Sequence, residues 1–468
     1  MSMKRRDFLK TTAATGLAVS TGSLFASAYA APAQPRRIGA NDKLNVLSVG
    51  VIGTIGGTDR KVVNSHPRAQ IVGLCDIDTN QLDRANNDHI DAFRVKDYRE
   101  AFDKHGDKFD AVIVATPDHT HCAIDTMALS KGKHVYGQKP LVQQLEEVAI
   151  LRGQVEANPG LSTQMGNQRM QSPGRRAAVH VLKSGTLGKC KEIFVTTGSG
   201  MKGGGRYFNN RKVHPVQTPP AHMDWDLWQS GVQPLIDYRP GIAPVVWRGT
   251  WNYGTGGLGD WGCHLLDVVF YAYPELTSPV SVIAHVEDPP EGMFHAYKCK
   301  TTMTYNTSTD AFAGKTVKVH YADEGQVPTA EELNLPEGAK PIGDKNQTCF
   351  VCEGGTLMLS AGGGLQVYRD GKSEKWQDLP GMPKFEGFNH WHEWVNTALG
   401  EHHPDLHWSP FGVGLKITEG ALLSVKATKY PGTELKWDSK KLAFTNHAEA
   451  TKTIVKRDYR KGFEPVRA

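Results

Sequence analysis

The sequence lacks the cysteine pattern of a disulfide-bonded protein. Its seven cysteines are an odd number scattered over 468 residues, whereas small disulfide-dependent proteins carry denser, even sets. Cys349 and Cys352 have CxxC spacing, but they lie in a strand-like run with no second cysteine pair or nearby histidine pair. Four further candidate ligands fit no standard metal-site spacing: His214, His222, Asp224 and Asp226. No metal site is predicted.

The sequence also has little excess charge and no long apolar run. The net charge is +5, and the segment from Lys4 to Lys10 contributes +3 of it, because four basic residues there face one aspartate. The small remainder gives no basis for binding nucleic acid or an anionic membrane. The apolar stretch 11–28 is rich in Thr, Ser and Gly and too short for a comfortable span. We therefore expect no nucleic-acid partner and no membrane-spanning segment.

Residues 1–30 have the pattern of a twin-arginine signal peptide. The run KRRDFLK at 4–10 precedes the weakly apolar stretch, and Ala28-Tyr29-Ala30 is a small-residue cleavage site. A Pro-rich linker at 31–43 follows. We expect export to the periplasm. Because this pathway carries folded proteins, the signal also suggests a cofactor bound before export.

The segment after the linker predicts a dinucleotide-binding unit. An apolar run of strand length ends at a turn containing Gly50 and Gly53, a helical segment follows, and a second apolar run reaches Asp76, 23 residues after Gly53. Such glycines let the pyrophosphate approach the backbone, and the acid holds the adenosine ribose. Ile55 occupies the position of the second glycine of the usual motif. Asp76 would repel a 2′-phosphate, so NAD is predicted in preference to NADP.

Two further buried-strand patterns end in polar turns. The run KFDAVIVAT leads into Pro117-Asp118-His119-Thr120-His121, and KHVY leads into Gly137-Gln138-Lys139-Pro140. In a doubly wound sheet these turns meet at the carboxyl ends of the strands, where ligands bind. The predicted cofactor contacts are Gly50, Gly53, Thr54, Ile55, Asp76, Thr116, Pro117, His119, His121, Gln138 and Lys139.

The stretch 256–267, GGLGDWGCHLLD, predicts a proton-transfer centre. An apolar helical pattern begins where its glycines end, so Asp260 and His264 should lie one turn apart on the same helical face. A carboxylate in that position can orient and support an imidazole that changes charge near neutral pH. The structural alternative is a helix start with a packed histidine.

These motifs, in this order, resemble the Gfo/Idh/MocA oxidoreductases, NAD(P)-dependent enzymes of sugars and polyols. The resemblance runs from about Leu44 to Asp458. It implies that Lys139 is the catalytic lysine of the family's EKP motif, with Gln138 in place of the glutamate. It also implies catalytic roles for Asp260 and His264.

The remaining sequence predicts a second, α+β domain. Strand-like runs recur with few helices between them, which indicates an open, largely antiparallel sheet. The predicted fold is thus α/β: a Rossmann domain at 44–165 and a substrate-binding and oligomerisation domain at 166–468. In the family such sheets often pack face to face between subunits, so a homo-oligomer, a dimer or tetramer, is expected.

An irregular insert at 200–253 interrupts these strands. Loops of this length in a compact domain are usually functional, and its aromatic rings suit stacking on sugars. About half of its tryptophans are expected to be core residues. The predicted substrate contacts are Arg169, Tyr238, Trp247, Arg248 and Trp251.

The sequence therefore predicts an NAD-dependent oxidoreductase that transfers hydride between a ring carbinol of a sugar or glycoside and tightly bound nicotinamide. The base is either His264, supported by Asp260, or Lys139. Two alternatives stay open. One is a redox-neutral glycosidase that oxidises, eliminates, hydrates and reduces within one turnover. The other is an inactive sugar-binding protein.

Overall fold

The computed structural model describes residues 38–39, 42–198, 211–403 and 408–468. The predicted signal peptide, most of the predicted linker and the start of the predicted insert, up to residue 210, lie outside these ranges. No helix among the described residues has the length and apolar character needed to cross a membrane.

The first sheet has six parallel strands with β1 and β4 at its centre. Its strands are β1 (Leu44–Val49), β2 (Ala69–Cys75), β3 (Phe93–Val95), β4 (Ala111–Val114), β5 (His134–Gly137) and β6 (Thr163–Met165). The helices that connect them are α1 (Gly56–Asn64), α2 (Thr79–Asn86), α3 (Tyr98–His105), α4 (Asp118–Ser130) and α5 (Leu145–Ala157). The strand order β3-β2-β1-β4-β5-β6 reverses direction between β1 and β4, which is where such sheets bind their ligands. The predicted Rossmann fold is confirmed.

The second sheet has ten strands within the described residues. They are β7 (Cys190–Thr196), β8 (Ser281–Asp288), β9 (Tyr297–Asn306), β10 (Thr316–Ala322), β11 (Gln347–Cys352), β12 (Gly355–Ser360), β13 (Leu365–Arg369), β14 (Lys372–Glu374), β15 (Leu435–Asp438) and β16 (Ala443–Phe444). Their order is β14-β13-β12-β11-β7-β10-β9-β8-β15-β16. β7 and β10 pair in parallel and every other neighbouring pair is antiparallel. The predicted open, largely antiparallel sheet is confirmed.

Six further α-helices lie in the described part of the chain: α6 (Pro173–Lys183), α7 (Trp225–Gln229), α8 (Gly256–Ala272), α9 (His390–Ala398), α10 (Phe411–Ala427) and α11 (Ala448–Ile454). The helix α9 returns to the first sheet, since Trp391 Nε1 donates to Asp59 Oδ1 on α1 at 2.8 Å. The domain boundary after residue 165 stays a prediction.

The glycines of the 256–267 stretch lie inside α8 rather than before it, contrary to the sequence-based expectation. Close helix packing explains them. A Cβ atom at Gly262 would lie 2.8 Å from Ala421 Cβ on α10, and one at Gly259 would lie 3.3 Å from Val425 Cγ2 on the same helix. Glycine therefore allows α8 and α10 to approach closely.

All seven cysteines are free and buried. Cys349 and Cys352 lie in β11, as expected. Within the described ranges, no group of three or more His, Cys, Asp or Glu side chains is arranged to hold a metal ion.

Candidate active site

The turn between β1 and α1 can receive a dinucleotide. Gly50 has φ of 81°, and a Cβ there would lie 2.5 Å from the Ala115 carbonyl oxygen. Gly53 has φ of 42° with open space around the position of a Cβ, so bare backbone faces the cleft. Gly56 permits the close contact of helix and strand, because its Cβ would lie 2.2 Å from Gly50 O.

Ile55 departs from the usual glycine motif without disturbing this turn. It precedes α1 with φ of −132°, a value that needs no glycine. Ile55 and Thr54 both line the cleft. The missing second glycine is therefore compatible with a functional nucleotide-binding turn.

Asp76 lies at the end of β2 and faces the same cleft. Its Oδ2 accepts from Val51 N at 3.0 Å and its Oδ1 from Asp78 N at 3.1 Å. Burial raises the pKa of Asp76 to about 6, although these backbone N–H groups oppose the rise. The carboxylate is thus fixed where a ribose would be held.

Replacing Asp76 with alanine is expected to weaken NAD binding by about 10- to 100-fold, the effect of losing charge-assisted hydrogen bonds. The NAD content after purification and the dissociation constant from titration measure this effect. Asp83→Ala is a matched control, because Asp83 lies on α2 and pairs with Arg94 at the surface. Wild-type NAD content in Asp76→Ala would remove this residue from the site.

An ion pair joins the turn after β5 to α8. Lys139 Nζ donates to Asp260 Oδ1 at 2.9 Å and to the Asp260 carbonyl oxygen at 2.8 Å. Arg248 Nε lies 3.4 Å from the same Oδ1. Burial acts to raise the pKa of Asp260, but the positive charges of Lys139 and Arg248 outweigh it and hold the pKa below its usual range. The ionised carboxylate therefore holds the lysine ammonium in the cleft.

His264 is oriented by Asn167, not by Asp260. His264 Nδ1 lies 2.6 Å from Asn167 Oδ1, whereas the Asp260 carboxylate is engaged by Lys139. The predicted support of His264 by Asp260 is therefore wrong. Helical spacing predicts that the two residues share one face of α8. It cannot predict that Lys139, from the turn after β5, binds the Asp260 carboxylate.

The Asn167 amide also selects the tautomer of His264. Asn167 Nδ2 donates to Cys263 O at 2.7 Å and Asp267 Oδ2 at 3.1 Å, which assigns its Oδ1 as an acceptor. His264 Nδ1 must then carry the proton, leaving Nε2 with a free electron pair. Burial, aided by the charges of Lys139 and nearby arginines, lowers the pKa of His264 well below its usual value. The imidazole is neutral at pH 7.

The two histidines of the β4 turn do not line the cleft, although Thr116 and Pro117 do. His119 is buried with Nε2 2.9 Å from Trp228 O, and burial lowers its pKa to about 3. His121 is buried with Nδ1 2.7 Å from Pro140 O and Nε2 2.8 Å from Thr116 O. The two histidines were predicted to contact the cofactor. Instead, α4 orients both rings towards backbone carbonyl groups, and they support the cleft without facing it.

The residue between Pro117 and His119 does line the cleft, and the sequence-based prediction omitted it. Asp118 accepts from Thr255 Oγ1 at 2.8 Å. Burial raises the pKa of Asp118 to about 7, and the negative charge of Asp260 adds to the rise. The sequence feature that could have identified Asp118 was its position in the same polar turn as Pro117 and His119.

Gln138 lines the cleft beside Lys139. Its Nε2 donates to Asp59 Oδ2 on α1 at 2.8 Å. Burial raises the pKa of Asp59 to about 7, opposed by the hydrogen bonds from Trp391 and Gln138. The Gln138 side chain thus connects the turn that carries Lys139 to α1, the first helix of the nucleotide-binding unit.

Three of the predicted substrate contacts line the cleft: Arg169, Trp247 and Arg248. Tyr238 and Trp251 do not. Tyr238 packs edge-on against Trp225 in a buried cluster, with ring centroids 5.3 Å apart, and Trp251 packs against His295 at 4.1 Å. Large aromatic side chains fill cores as readily as they line sites, so composition alone did not separate these roles.

Two other lining residues were not predicted as substrate contacts: Gln168 and Trp261. The Arg169 guanidinium lies 5.0 Å from the ring centre of Trp261. Trp261 lies between Asp260 and His264 on α8. Its position beside this predicted pair is the sequence feature that could have identified it as a lining residue.

Comparison with known proteins agrees with this architecture. The sequence model described as oxidoreductase family, NAD-binding Rossmann fold (Gfo/Idh/MocA) matches residues 44–158, and its C-terminal alpha/beta domain matches 175–320. A twin-arginine translocation signal matches residues 2–22.

Similar proteins include dehydrogenases and a glycosyl hydrolase. The chain is 29% identical over 147 residues to inositol 2-dehydrogenase of Rubrobacter xylanophilus, covering 30% of this chain and 41% of that protein. It is 28% identical over 162 residues to glycosyl hydrolase family 109 protein 2 of Shewanella sp. strain ANA-3, covering 31% of this chain and 35% of that protein. The matches therefore span less than half of either relative.

The fold is shared with the WlbA dehydrogenase from Bordetella pertussis, solved in complex with NADH and UDP-GlcNAcA. The TM-score is 0.57 at 15% identity, and the match covers 85% of this chain and 99% of that one. With both sheets, the glycine turn and the matched family regions in place, the chain belongs to the Gfo/Idh/MocA oxidoreductase family and carries that family's NAD-binding Rossmann fold.

Proposed function

We propose that this protein oxidises a ring hydroxyl of a sugar or glycoside with an NAD that stays bound. One observation carries the proposal. The neutral His264 and the Lys139–Asp260 ion pair line the same cleft as Gly53 and Asp76. A proton acceptor and a fixed positive charge thus face the region in which NAD would be held.

His264 is the proposed base. Its Nε2 electron pair takes the hydroxyl proton as the carbinol carbon loses hydride, for which bound NAD supplies the acceptor. The Asn167 contact keeps the ring in the required tautomer, and burial keeps it neutral. Of the two candidate bases that the sequence left open, we therefore propose His264.

Lys139 is proposed to stabilise the developing alkoxide. Its ammonium is held by Asp260 in a partly buried ion pair, with side-chain exposures of 15% and 13%. A charge positioned before the reaction in such a site stabilises negative charge more strongly than it would in water. Lysine and histidine therefore have separate electrostatic and proton-transfer roles.

Other residues that line the cleft suit a sugar ring. Trp261 and Trp247 provide apolar faces, and Arg169 and Gln168 provide hydrogen-bond donors. The relatives include an inositol 2-dehydrogenase, and one dehydrogenase of the same fold was solved with UDP-GlcNAcA. Inositol and the sugar of UDP-GlcNAcA are both polyhydroxylated rings. These similarities support a sugar, polyol or glycoside as the substrate class.

A redox-neutral glycosidase is the second candidate. The family 109 glycosyl hydrolase among the relatives supports it, as does the export signal at 2–22. A periplasmic enzyme would lack a free NAD pool, so recycling the hydride within one turnover would suit it.

The oligomeric state, a homo-oligomer in the form of a dimer or tetramer, stays a prediction.

A time course with a glycoside panel and no added NAD or acceptor separates these activities. The dehydrogenase is expected to reduce its bound nicotinamide once, stop, and resume when a keto-sugar acceptor is added. Absorbance of reduced nicotinamide and release of the aglycone are followed together. Many aglycones released per enzyme would instead establish the glycosidase, and absence of both signals across the panel would favour an inactive binding protein.

A further inference from the structure

A short segment of the insert is docked on the nucleotide-binding sheet. We name residues 222–231 the strap. Met223 forms an antiparallel bridge with Asp78, Thr79 N donates to His222 O at 2.9 Å, and Asp224 N donates to Ile77 O at 3.1 Å. The strap is therefore hydrogen-bonded to the turn after β2, the turn that begins with Asp76.

Side chains reinforce this attachment. His222 Nδ1 lies 2.9 Å from Asp78 Oδ1, and the same Oδ1 accepts from Asn80 N at the start of α2. The Asp78 carboxylate therefore joins the strap to the first turn of α2. Several short hydrogen bonds on one turn act together, so the strap cannot move from β2 without breaking them as a group.

The strap is also attached at its other end. The two terminal guanidinium nitrogens of Arg460 each donate to one carboxylate oxygen of Asp226 at 2.8 Å, and Arg460 N donates to Gly231 O at 3.0 Å. His119 contacts Trp228 O at 2.9 Å from the opposite side. These contacts give His119 a structural role in place of the predicted cofactor contact.

The inner face of the strap lines the cleft beside Asp76 and Ile77. Its lining residues are Met223, Leu227, Trp228 and Ser230. Trp228 is held in place by stacking on Trp225, with ring centroids 4.7 Å apart and planes at 15°. Because Asp76 marks the adenosine ribose position, this apolar face lies along the adenosine half of the nucleotide site.

We propose that the strap is an additional cofactor-binding element that covers the adenosine half of NAD and slows its release. The family's nucleotide fold supplies the glycine turn and the acid, and the insert supplies the outer wall. A cofactor covered in this way would stay with the protein through export and through repeated turnovers. The proposal concerns retention and does not depend on which sugar reaction the site performs.

Exchange of bound NAD for isotopically labelled NAD, followed by mass spectrometry, tests the strap directly. Trp228→Ala is expected to speed exchange at least about tenfold, because it removes an aromatic contact with the cofactor. Asp226→Asn, which weakens only the outer attachment to Arg460, is expected to speed exchange about two- to fivefold.

Glu287→Gln is the matched control. Like Asp226 it removes one exposed acidic charge from an ion pair, here with Lys298, at a site away from the strap. Wild-type exchange in folded Trp228→Ala, or equal acceleration in the control, would overturn the proposal. If Trp228→Ala does not fold, Asp226→Asn decides alone. Faster exchange without sugar turnover in any form of the protein would support the strap and reject the proposed oxidoreductase activity.

Discussion

Replacing His264 with alanine is expected to lower kcat by about 10³-fold, the contribution of a positioned general base. NAD binding and folding should be unchanged, because the predicted cofactor contacts are at the glycine turn and Asp76, away from His264. The best substrate from the glycoside panel is used, and single-turnover reduction of bound nicotinamide measures the chemical step. Wild-type kcat should not fall between pH 8 and 6 through protonation of His264, since burial and nearby cations lower its pKa well below its usual value.

A chemical rescue and a control variant make this test specific. Added imidazole should restore part of the activity of His264→Ala, which a purely structural loss would not allow. His66→Ala is the matched control, because His66 Nε2 contacts Asn396 Oδ1 at 2.9 Å in a similar histidine–asparagine pair outside the cleft. Near-normal turnover in His264→Ala would assign the base elsewhere.

Replacing Lys139 with alanine is expected to lower kcat by about 10²- to 10³-fold, the effect of losing a preorganised charge at a developing alkoxide. The substitution also leaves Asp260 with Arg248 as its remaining cation. Steady-state turnover with a keto-sugar acceptor gives kcat, stopped-flow reduction of bound nicotinamide gives the rate constant of the chemical step, and the NAD content shows whether the cofactor is retained. Lost turnover with retained NAD would exclude the inactive sugar-binding protein.

Lys139→Arg should recover part of the rate, because it keeps the positive charge near Asp260. Lys104→Ala serves as the control, since Lys104 forms a comparable but exposed ion pair with Glu100 at 2.8 Å. Full activity of Lys139→Ala would contradict its role and would leave Arg248 as the cation beside the reacting oxygen.

Periodicity and turn residues were sufficient to predict both sheets. The apolar runs at β1, β2 and β4 and the glycine turn are local patterns, so the Rossmann fold followed from short segments. The strands β7 to β12 were identified in the same way. The short strands β3, β6 and β13 to β16 were not predicted, since pieces of two to five residues carry too little pattern.

The contacts within the site were harder to predict. Lys139 reaches Asp260 across 121 residues, and His264 reaches Asn167 across 97. Helical spacing predicted that Asp260 and His264 share a face, but not that each would take its partner from a different element. The turn after β4 likewise contained the right segment, while the side chain facing the cleft proved to be Asp118 rather than His119.

By itself, the sequence determined the nucleotide fold, the export signal, and the lysine and α8 residues of the candidate site. These features depend on residues close together in the chain, where spacing dictates which side chains share a turn or a face. Only the tertiary structure decided which group orients His264, which aromatic residues line the cleft, and that the strap lies against the turn that begins with Asp76. These depend on packing between segments distant in the chain, because burial and hydrogen-bond geometry, rather than spacing, select the partners.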